Sequence, residues 1–137
     1  MPGYGSNGQP SGGKSGNYYC DANDQNDLWC WEFDAMEANK YVTAVTPHTC
    51  SQPPGGYISE CDGSGCGTNA YNEDNNGMGP GDNFKINTNY PFRQSITFTG
   101  TSISTVLTQN DNTFSFDVFS NNNNYVTQII LMQICKL

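Results

Sequence analysis

Three acidic side chains lie within six positions of each other in the segment WEFDAMEAN. In a β-strand, residues i and i+2 share a face, so Glu32 and Asp34 are predicted to point to the same side. Glu37 falls out of phase with them, and a bulge or bend between Asp34 and Glu37 would bring it back. Full extension places the Glu32 and Glu37 backbones about 16 Å apart, so both side chains would have to lean inward.

This set of carboxyl groups fits the cleavage of a glycosidic bond. One carboxylate attacks the anomeric carbon, and a second, protonated carboxyl group gives its proton to the leaving oxygen. Retaining enzymes hold these two groups about 5–5.5 Å apart. A third acid beside the nucleophile helps to keep the protonation states distinct, and Asp34 fits that role. Glu37 would then change from acid to base and activate water.

A solvated strand face or part of a calcium site is the alternative explanation of three acids in an acidic chain. The neighbouring side chains decide between the two explanations. Large apolar residues interleave the acids, which predicts a largely buried strand, and buried acids cost several kcal/mol unless they are paired or functional. We therefore favour catalysis. The interleaving residues are Trp29, Trp31, Phe33 and Met36.

The composition excludes several classes of partner. The 137 residues carry a net charge of −8, which repels both phosphate backbones and anionic lipids. Nucleic acid and membranes are therefore not expected as partners. No window approaches the roughly 20 apolar residues of a membrane span. The first fifteen residues lack the apolar core of a signal peptide, so we expect any secretion signal to lie outside this chain.

The six cysteines lie in surroundings rich in Gly, Asn and Pro, as is typical of extracellular disulfides. Their spacing leaves 15 full pairings open. Zinc is the alternative, because Cys61 and Cys66 are close, but no second close pair exists and His48 would be a poor fourth ligand. We predict a secreted protein with disulfides, no metal and no organic cofactor. The cysteines are Cys20, Cys30, Cys50, Cys61, Cys66 and Cys135.

The order of segments predicts one all-β domain. Residues 1–17 form a flexible lead-in, residues 18–128 the domain, and residues 129–137 a C-terminal segment of doubtful origin. Within the domain, two strand-like runs between residues 18 and 45 are split by DANDQND, and residues 46–83 form a long irregular excursion.

Further strands are predicted after that excursion, and one of them has a clear period. Phe114, Phe116 and Val118 alternate with Ser115 and Asp117, as in a half-buried strand. No stretch of ten residues has a helical stripe, so a β-sandwich is predicted. The later strands are expected at 85–86, 92–98, 102–108 and 113–119.

The segment WCWEFDAMEANKYVTAVTPHTC resembles the active-site segment of glycoside hydrolase family 7, the cellobiohydrolases and endo-β-1,4-glucanases. Five other pieces recur in the order of that family, so the resemblance covers about residues 18–98. It implies a concanavalin-like jelly-roll sandwich with long disulfide-linked loops, of which this chain would be an incomplete part. The pieces are YYCDA, TPH, CDGSGCG, GPG and INTNYPF.

The resemblance also implies roles for individual residues. Glu32 corresponds to the nucleophile, Asp34 to its assisting acid and Glu37 to the acid/base. His48 and Trp31 would contact the substrate, a β-1,4-glucan such as a cellulose oligosaccharide that is cleaved from a chain end or internally. Without the resemblance, His48 would be a structural loop residue.

The family's disulfides would pair Cys20 with Cys30 and Cys50 with Cys61. Cys66 would then need a more distant partner, such as Cys135.

The sequence differs from the family pattern in places and allows other functions. Related enzymes for β-1,3 or mixed-linkage glucans share E-x-D-x-x-E, but the TPH, CDGSGCG and GPG pieces argue against them. Ala35 and Met36 replace the family's usual Ile-Trp. The chain could instead be a carbohydrate-binding or structural extracellular sandwich without turnover. It could also be an inactive fragment whose exposed sheet edges associate with one another.

Overall fold

The structure, a computed structural model, describes residue 9 and residues 11–50, 61–99 and 102–118. These residues form eight strands and one short helix, which confirms the predicted all-β class. No helix in this described part is long and apolar enough to cross a membrane. The elements are β1 (Glu32–Ala38), β2 (Thr43–His48), β3 (Thr68–Asn69), α1 (Ala70–Glu73), β4 (Met78–Gly79), β5 (Ile86–Asn87), β6 (Arg93–Phe98), β7 (Ile103–Gln109) and β8 (Asn112–Asp117).

The chain divides into two compact units. The first comprises Met1–Phe33 and His48–Gly65, and the second comprises Asp34–Pro47 and Cys66–Leu137. The boundary between the units therefore falls within β1 and β2. The predicted segment 129–137 lies outside the described residues.

The first unit is built from a hydrogen-bonded loop instead of the strand-like run predicted from residue 18. Its backbone has positive φ at Tyr18, Asp24 and Asp27, a conformation that no extended strand accommodates. The buried Asn26 side chain accepts from the Ser15 N–H and donates to the Tyr19 carbonyl. These side-chain hydrogen bonds take the place of the backbone hydrogen bonds that would join two strands. The described part of the predicted lead-in, residues 11–17, is thus tied to Asn26.

Two disulfides close the loops of the first unit. Cys20 is bonded to Cys30 and Cys50 to Cys61, with sequence separations of 10 and 11. These are the two pairings that the family resemblance implied. In the chain-entropy model, closing a loop of that size stabilises the fold by about 3 kcal/mol. The implied Cys66–Cys135 bond cannot be placed, because Cys135 lies outside the described residues.

In the second unit, β1, β2 and β3 form one sheet in that order. β2 and β3 are antiparallel, with Ala44 opposite Asn69 and Val45 opposite Thr68. Gly67 permits this pairing, because a Cβ there would lie 2.2 Å from the Val45 carbonyl oxygen. Thr43 and Val45 are fully buried, so β2 is the inner strand that anchors β1.

β1 is less buried than its apolar neighbours predicted. Glu32 to Asp34 are half-buried, Ala35 to Ala38 are exposed, and Met36 is 49% exposed. The prediction of a largely buried strand was therefore wrong. β1 has one hydrogen-bonded neighbour among the described strands, so it lies at the edge of its sheet.

The predicted excursion at 46–83 contains more regular structure than expected. It includes β3, α1 and β4, and its first three residues belong to β2. The Asn69 side chain caps α1 by accepting from the Asn72 N–H. β4 pairs in parallel with β5, placing Met78 opposite Ile86.

The last sheet has the order β6-β7-β8 and is antiparallel throughout. The period-two burial predicted for residues 114–118 is confirmed, and β7 alternates in the same way. Asn110, at φ 52, and Asp111 form the two-residue turn between β7 and β8. The core face of this sheet consists of Ile103, Thr105, Leu107, Phe114 and Phe116.

Candidate active site

Glu32 begins β1 and is held by the backbone of the loop before it. Its Oε2 atom accepts a hydrogen bond from the Ala22 N–H at 3.0 Å. Ala22 is itself buried, and the preceding Asp21 carboxylate accepts from the Asn23 N–H at 2.8 Å. The Cys20–Cys30 disulfide closes this loop beside β1. The half-buried Glu32 carboxylate is therefore held by the Ala22 backbone N–H, a group that can only donate a hydrogen bond.

His48 ends β2 and is buried, with 5% of its surface exposed. Its Nδ1 atom lies 2.8 Å from the Asp62 carbonyl oxygen. A carbonyl can only accept, so Nδ1 carries the proton and the tautomer of a neutral ring is fixed. A ring nitrogen of His48 and a carboxylate oxygen of Glu32 lie within 4.8 Å of each other. The first unit thus brings together the predicted nucleophile and the predicted histidine.

Glu37 lies near the other end of β1, in the second unit, and is exposed. Its Oε2 atom accepts a hydrogen bond from the Thr46 hydroxyl at 3.1 Å. A hydroxyl can donate to a carboxylate and accept from a carboxylic acid, so this contact suits both protonation states of Glu37. The backbone N–H at Glu32 can only donate, so the two acids are held by different kinds of group. Their roles as nucleophile and acid/base stay predictions.

Asp34 lies two residues after Glu32 on the same continuous strand and is half-buried. By strand alternation the two side chains start from the same face. Ala35, which separates Asp34 from Met36, has its carbonyl oxygen bonded by the Gln94 side-chain N–H, within the second unit. The backbone of β1 is therefore held at its middle as well as at its start.

Trp31 precedes β1 and is half-buried. Its indole N–H donates to the Cys50 carbonyl at 3.3 Å, next to the Cys50–Cys61 disulfide. The polar part of the side chain is thus bonded within the protein, and only the ring face would be offered to a sugar. Contact between Trp31 and substrate stays a prediction.

Sequence reasoning missed three supporting groups. They are the Ala22 N–H, the Thr46 hydroxyl and the Asp62 carbonyl, and two of the three are backbone atoms with no signature in side-chain type. Thr46 could have been found, because it lies two residues before His48 and shares its face in a strand.

The donor types at the site also bear on metal binding. Glu32 and His48 of the first unit offer a carboxylate oxygen and a ring nitrogen, atom types that divalent cations accept. An ion held between them would occupy a carboxylate oxygen that nucleophilic attack requires. The absence of a metal stays a prediction.

Two relatives found by sequence comparison are both named as endoglucanases. The chain is 34% identical over 106 residues to endoglucanase 1 of Humicola insolens, covering 61% of this chain and 26% of that protein. It is 34% identical over 133 residues to a probable endo-β-1,4-glucanase celB of Aspergillus flavus, covering 77% and 28%. No family model matches the chain.

A solved structure extends the likeness to the fold. A double mutant of the Humicola insolens endocellulase EGI matches with a TM-score of 0.64 and 25% identity, over 88% of this chain and 40% of that one. The architecture is thus the predicted concanavalin-like β-sandwich with disulfide-linked loops, present in part. These relatives confirm the resemblance seen in the sequence, which is to part of a glycoside hydrolase family 7 domain. It spans about a quarter of the length of the curated relatives that it matches.

Proposed function

We propose that this chain carries the catalytic strand of an extracellular, retaining β-1,4-glucan hydrolase. The observation that carries the proposal is that the first and last of the three acids on one strand are each held by a hydrogen bond. Glu32 accepts from the Ala22 N–H and has a carboxylate oxygen within 4.8 Å of a His48 ring nitrogen, while Glu37 accepts from the Thr46 hydroxyl. The names of the relatives favour cleavage within the glucan chain.

The reaction proceeds in two displacements. A Glu32 carboxylate oxygen bonds to the anomeric carbon as the glycosidic oxygen leaves with the proton of Glu37. Asp34 assists by keeping the protonation states of the neighbouring acids distinct. Glu37, now ionised, takes a proton from water, whose oxygen attacks the anomeric carbon and releases Glu32. The product keeps the β configuration.

The first test is the release of reducing sugar from carboxymethyl cellulose and β-glucan by the oxidatively refolded chain. Glu32→Gln keeps the size of the side chain but removes the nucleophile, so we expect a loss of at least about a thousandfold. Asp117→Asn makes the matched change at an exposed acid on β8 and should leave release unchanged. Release by Glu32→Gln at the parent rate would refute the assignment.

The second test separates the two roles. An aryl β-glycoside with a good leaving group needs little protonation, so Glu37→Gln should retain formation of the intermediate with it while losing glucan hydrolysis. Glu32→Gln should lose both. Glu73→Gln is the matched control, because Glu73 also accepts from a threonine hydroxyl, that of Thr68. Nuclear magnetic resonance of the first product should show the β anomer, and an α anomer would contradict retention.

The lack of hydrolysis by a folded chain would favour the carbohydrate-binding alternative. That alternative predicts that glucan binding survives in Glu32→Gln, since the amide preserves the shape of the site.

A further inference from the structure

Two tyrosines of the second unit present their rings to solvent from unusually well fixed turns. Tyr41 is 57% exposed and Tyr90 is 64% exposed. Single exposed aromatic side chains are ordinary on protein surfaces. We propose that Tyr41 and Tyr90 form a binding platform for the pyranose rings of a neutral β-1,4-glucan, an inference that rests on the proposed function for its choice of ligand.

The turn below Tyr41 is held by Asn39. The Asn39 side-chain oxygen accepts from the N–H groups of Tyr41 and Val42, at 2.8 and 3.2 Å. The Asn39 N–H also donates to the Val42 carbonyl at 3.0 Å, which closes the turn between β1 and β2. The Lys40 ammonium lies 5.0 Å from the centroid of the Tyr41 ring. This places the ammonium over one face of the ring, and we assign the opposite face to the ligand.

The turn below Tyr90 is held by two buried residues, Asn87 through its backbone carbonyl and Gln109 through its side chain. The Tyr90 N–H donates to the Asn87 carbonyl at 3.1 Å, and the Gln109 side chain donates to the Tyr90 carbonyl at 3.2 Å. Asn87 and Gln109 are each only 8% exposed, so they anchor this turn to the interior. The ring is exposed although its backbone is fixed.

The two turns are joined directly. The Thr88 hydroxyl donates to the Lys40 carbonyl. The path from Tyr41 through this bond to Tyr90 keeps the two tyrosine Cα atoms within about 20 Å of each other, since each of three Cα steps spans about 3.8 Å and the hydrogen-bonded link adds roughly 8 Å. Two rings at such a separation lie within the reach of one short oligosaccharide.

The chemistry of the surface favours a neutral sugar. A tyrosine ring offers a flat apolar face for the C–H bonds of a pyranose and a hydroxyl for its polar edge, and ordering it costs little conformational entropy. The net charge of −8 disfavours anionic polymers. Fixing the backbone before binding lowers the cost of association.

Binding of a soluble β-1,4-linked glucose hexasaccharide tests the platform by calorimetry. All variants are made in the full chain carrying Glu32→Gln, so that the ligand is not consumed. Tyr41→Ala and Tyr90→Ala should each weaken the Kd by about two- to tenfold. Tyr41→Phe should bind as the parent does, because it keeps the ring.

Tyr71→Ala is the matched control, since Tyr71 is 61% exposed on α1 and has no part in the platform. It should leave the Kd unchanged. Equal affinities for parent, Tyr41→Ala and Tyr90→Ala would overturn the proposal, and so would absence of binding by the parent.

Hydrolysis by the chain with Glu32 intact is scored separately. Hydrolysis with a Kd insensitive to both tyrosines removes the platform and leaves the proposed function. Binding through the tyrosines without hydrolysis supports the platform and removes the catalytic proposal.

Discussion

The contrast between the partners of Glu32 and Glu37 is the sharpest residue-scale feature of this chain. One acid accepts from a backbone N–H, which cannot accept in return, and the other from the Thr46 hydroxyl, which can. The proposed nucleophile, Glu32, is thus held by the backbone, whereas the proposed acid/base, Glu37, is held by a side chain that a single substitution can remove.

Replacing Thr46 by valine tests whether that hydroxyl positions Glu37. The change keeps the shape of the side chain and removes one exposed hydrogen bond, so the fold should be preserved. We expect glucan hydrolysis to fall by about three- to tenfold, the equivalent of one ordinary hydrogen bond. Hydrolysis of an aryl glycoside with a good leaving group should fall less in its first step, since it needs less protonation.

The controls for this prediction lie in the same unit. Thr46→Ser restores the hydroxyl and should restore most of the rate. Thr68→Val removes the analogous bond to Glu73 and should leave the rate unchanged. An equal loss on both kinds of substrate would show that Thr46 acts through the fold and does not position Glu37.

Ion pairing joins two elements of the second unit, and its contribution depends on pH. Asp74 is the C-cap of α1 through its backbone N–H, and its carboxylate lies 2.9 Å from the ammonium of Lys85, one residue before β5. The hydrogen bond from Lys85 and, to a smaller extent, that from the Asn76 N–H lower the pKa of Asp74 below its ordinary value of 3.8. A lowered folded-state pKa contributes stability above the unfolded-state pKa and loses it as pH falls through the folded-state value.

Asp74→Asn should therefore lower the Tm at pH 7, where the unmodified carboxylate is ionised in both folded and unfolded chains. The difference from the parent should shrink below pH 3.8, as the parent carboxylate becomes protonated. Thermal unfolding followed by circular dichroism from pH 7 to pH 2.5 measures both. Asp111→Asn, in the exposed turn before β8, is the control. A difference in Tm that is independent of pH would contradict the ionic explanation.

The elements show which features could be predicted from the sequence. The strands from residue 86 onward were predicted within two residues of their observed ends, because Phe114 and Phe116 carry a clear period of two. The exposure of Met36 on β1 was not predicted. Apolar residues are buried only where another element packs against their strand. Among the described strands, β1 lies at the edge of its sheet, and Met36 is exposed there.

The loop before β1 and the contacts at the site were less accessible to sequence reasoning. The aromatic pair Tyr18–Tyr19 resembles a strand, but Asn26 makes side-chain bonds that replace a ladder. The three acids were recognised from their types and spacing, whereas the predicted role of His48 followed from the family resemblance. The N–H of Ala22 is a property of backbone geometry and leaves no mark on residue type.

At the scale of the whole molecule, the chain matches about a quarter of the length of its curated relatives and 40% of a solved one. Among the described strands, β6 has a single hydrogen-bonded neighbour, β7. Four of its six residues are exposed, and Phe98 is 49% exposed. Charged side chains normally protect such an edge, yet β6 carries only Arg93.

Association of two copies through β6 is the outcome we expect of this edge. Antiparallel pairing of β6 with its equivalent would place Arg93 opposite Phe98 of the second copy, so no like charges would face each other. Sedimentation velocity should show a sedimentation coefficient that rises with protein concentration. Thr97→Lys adds a charge to the edge and should shift the chain towards monomer.

The same change on the other side of the sheet locates the contact. Thr113→Lys adds a charge to β8, which is exposed at that position and pairs with β7 alone among the described strands. It should leave association unchanged if β6 is the edge that pairs. A shift to monomer with Thr113→Lys and not with Thr97→Lys would assign the contact to β8. A concentration-independent monomer would contradict pairing at either edge.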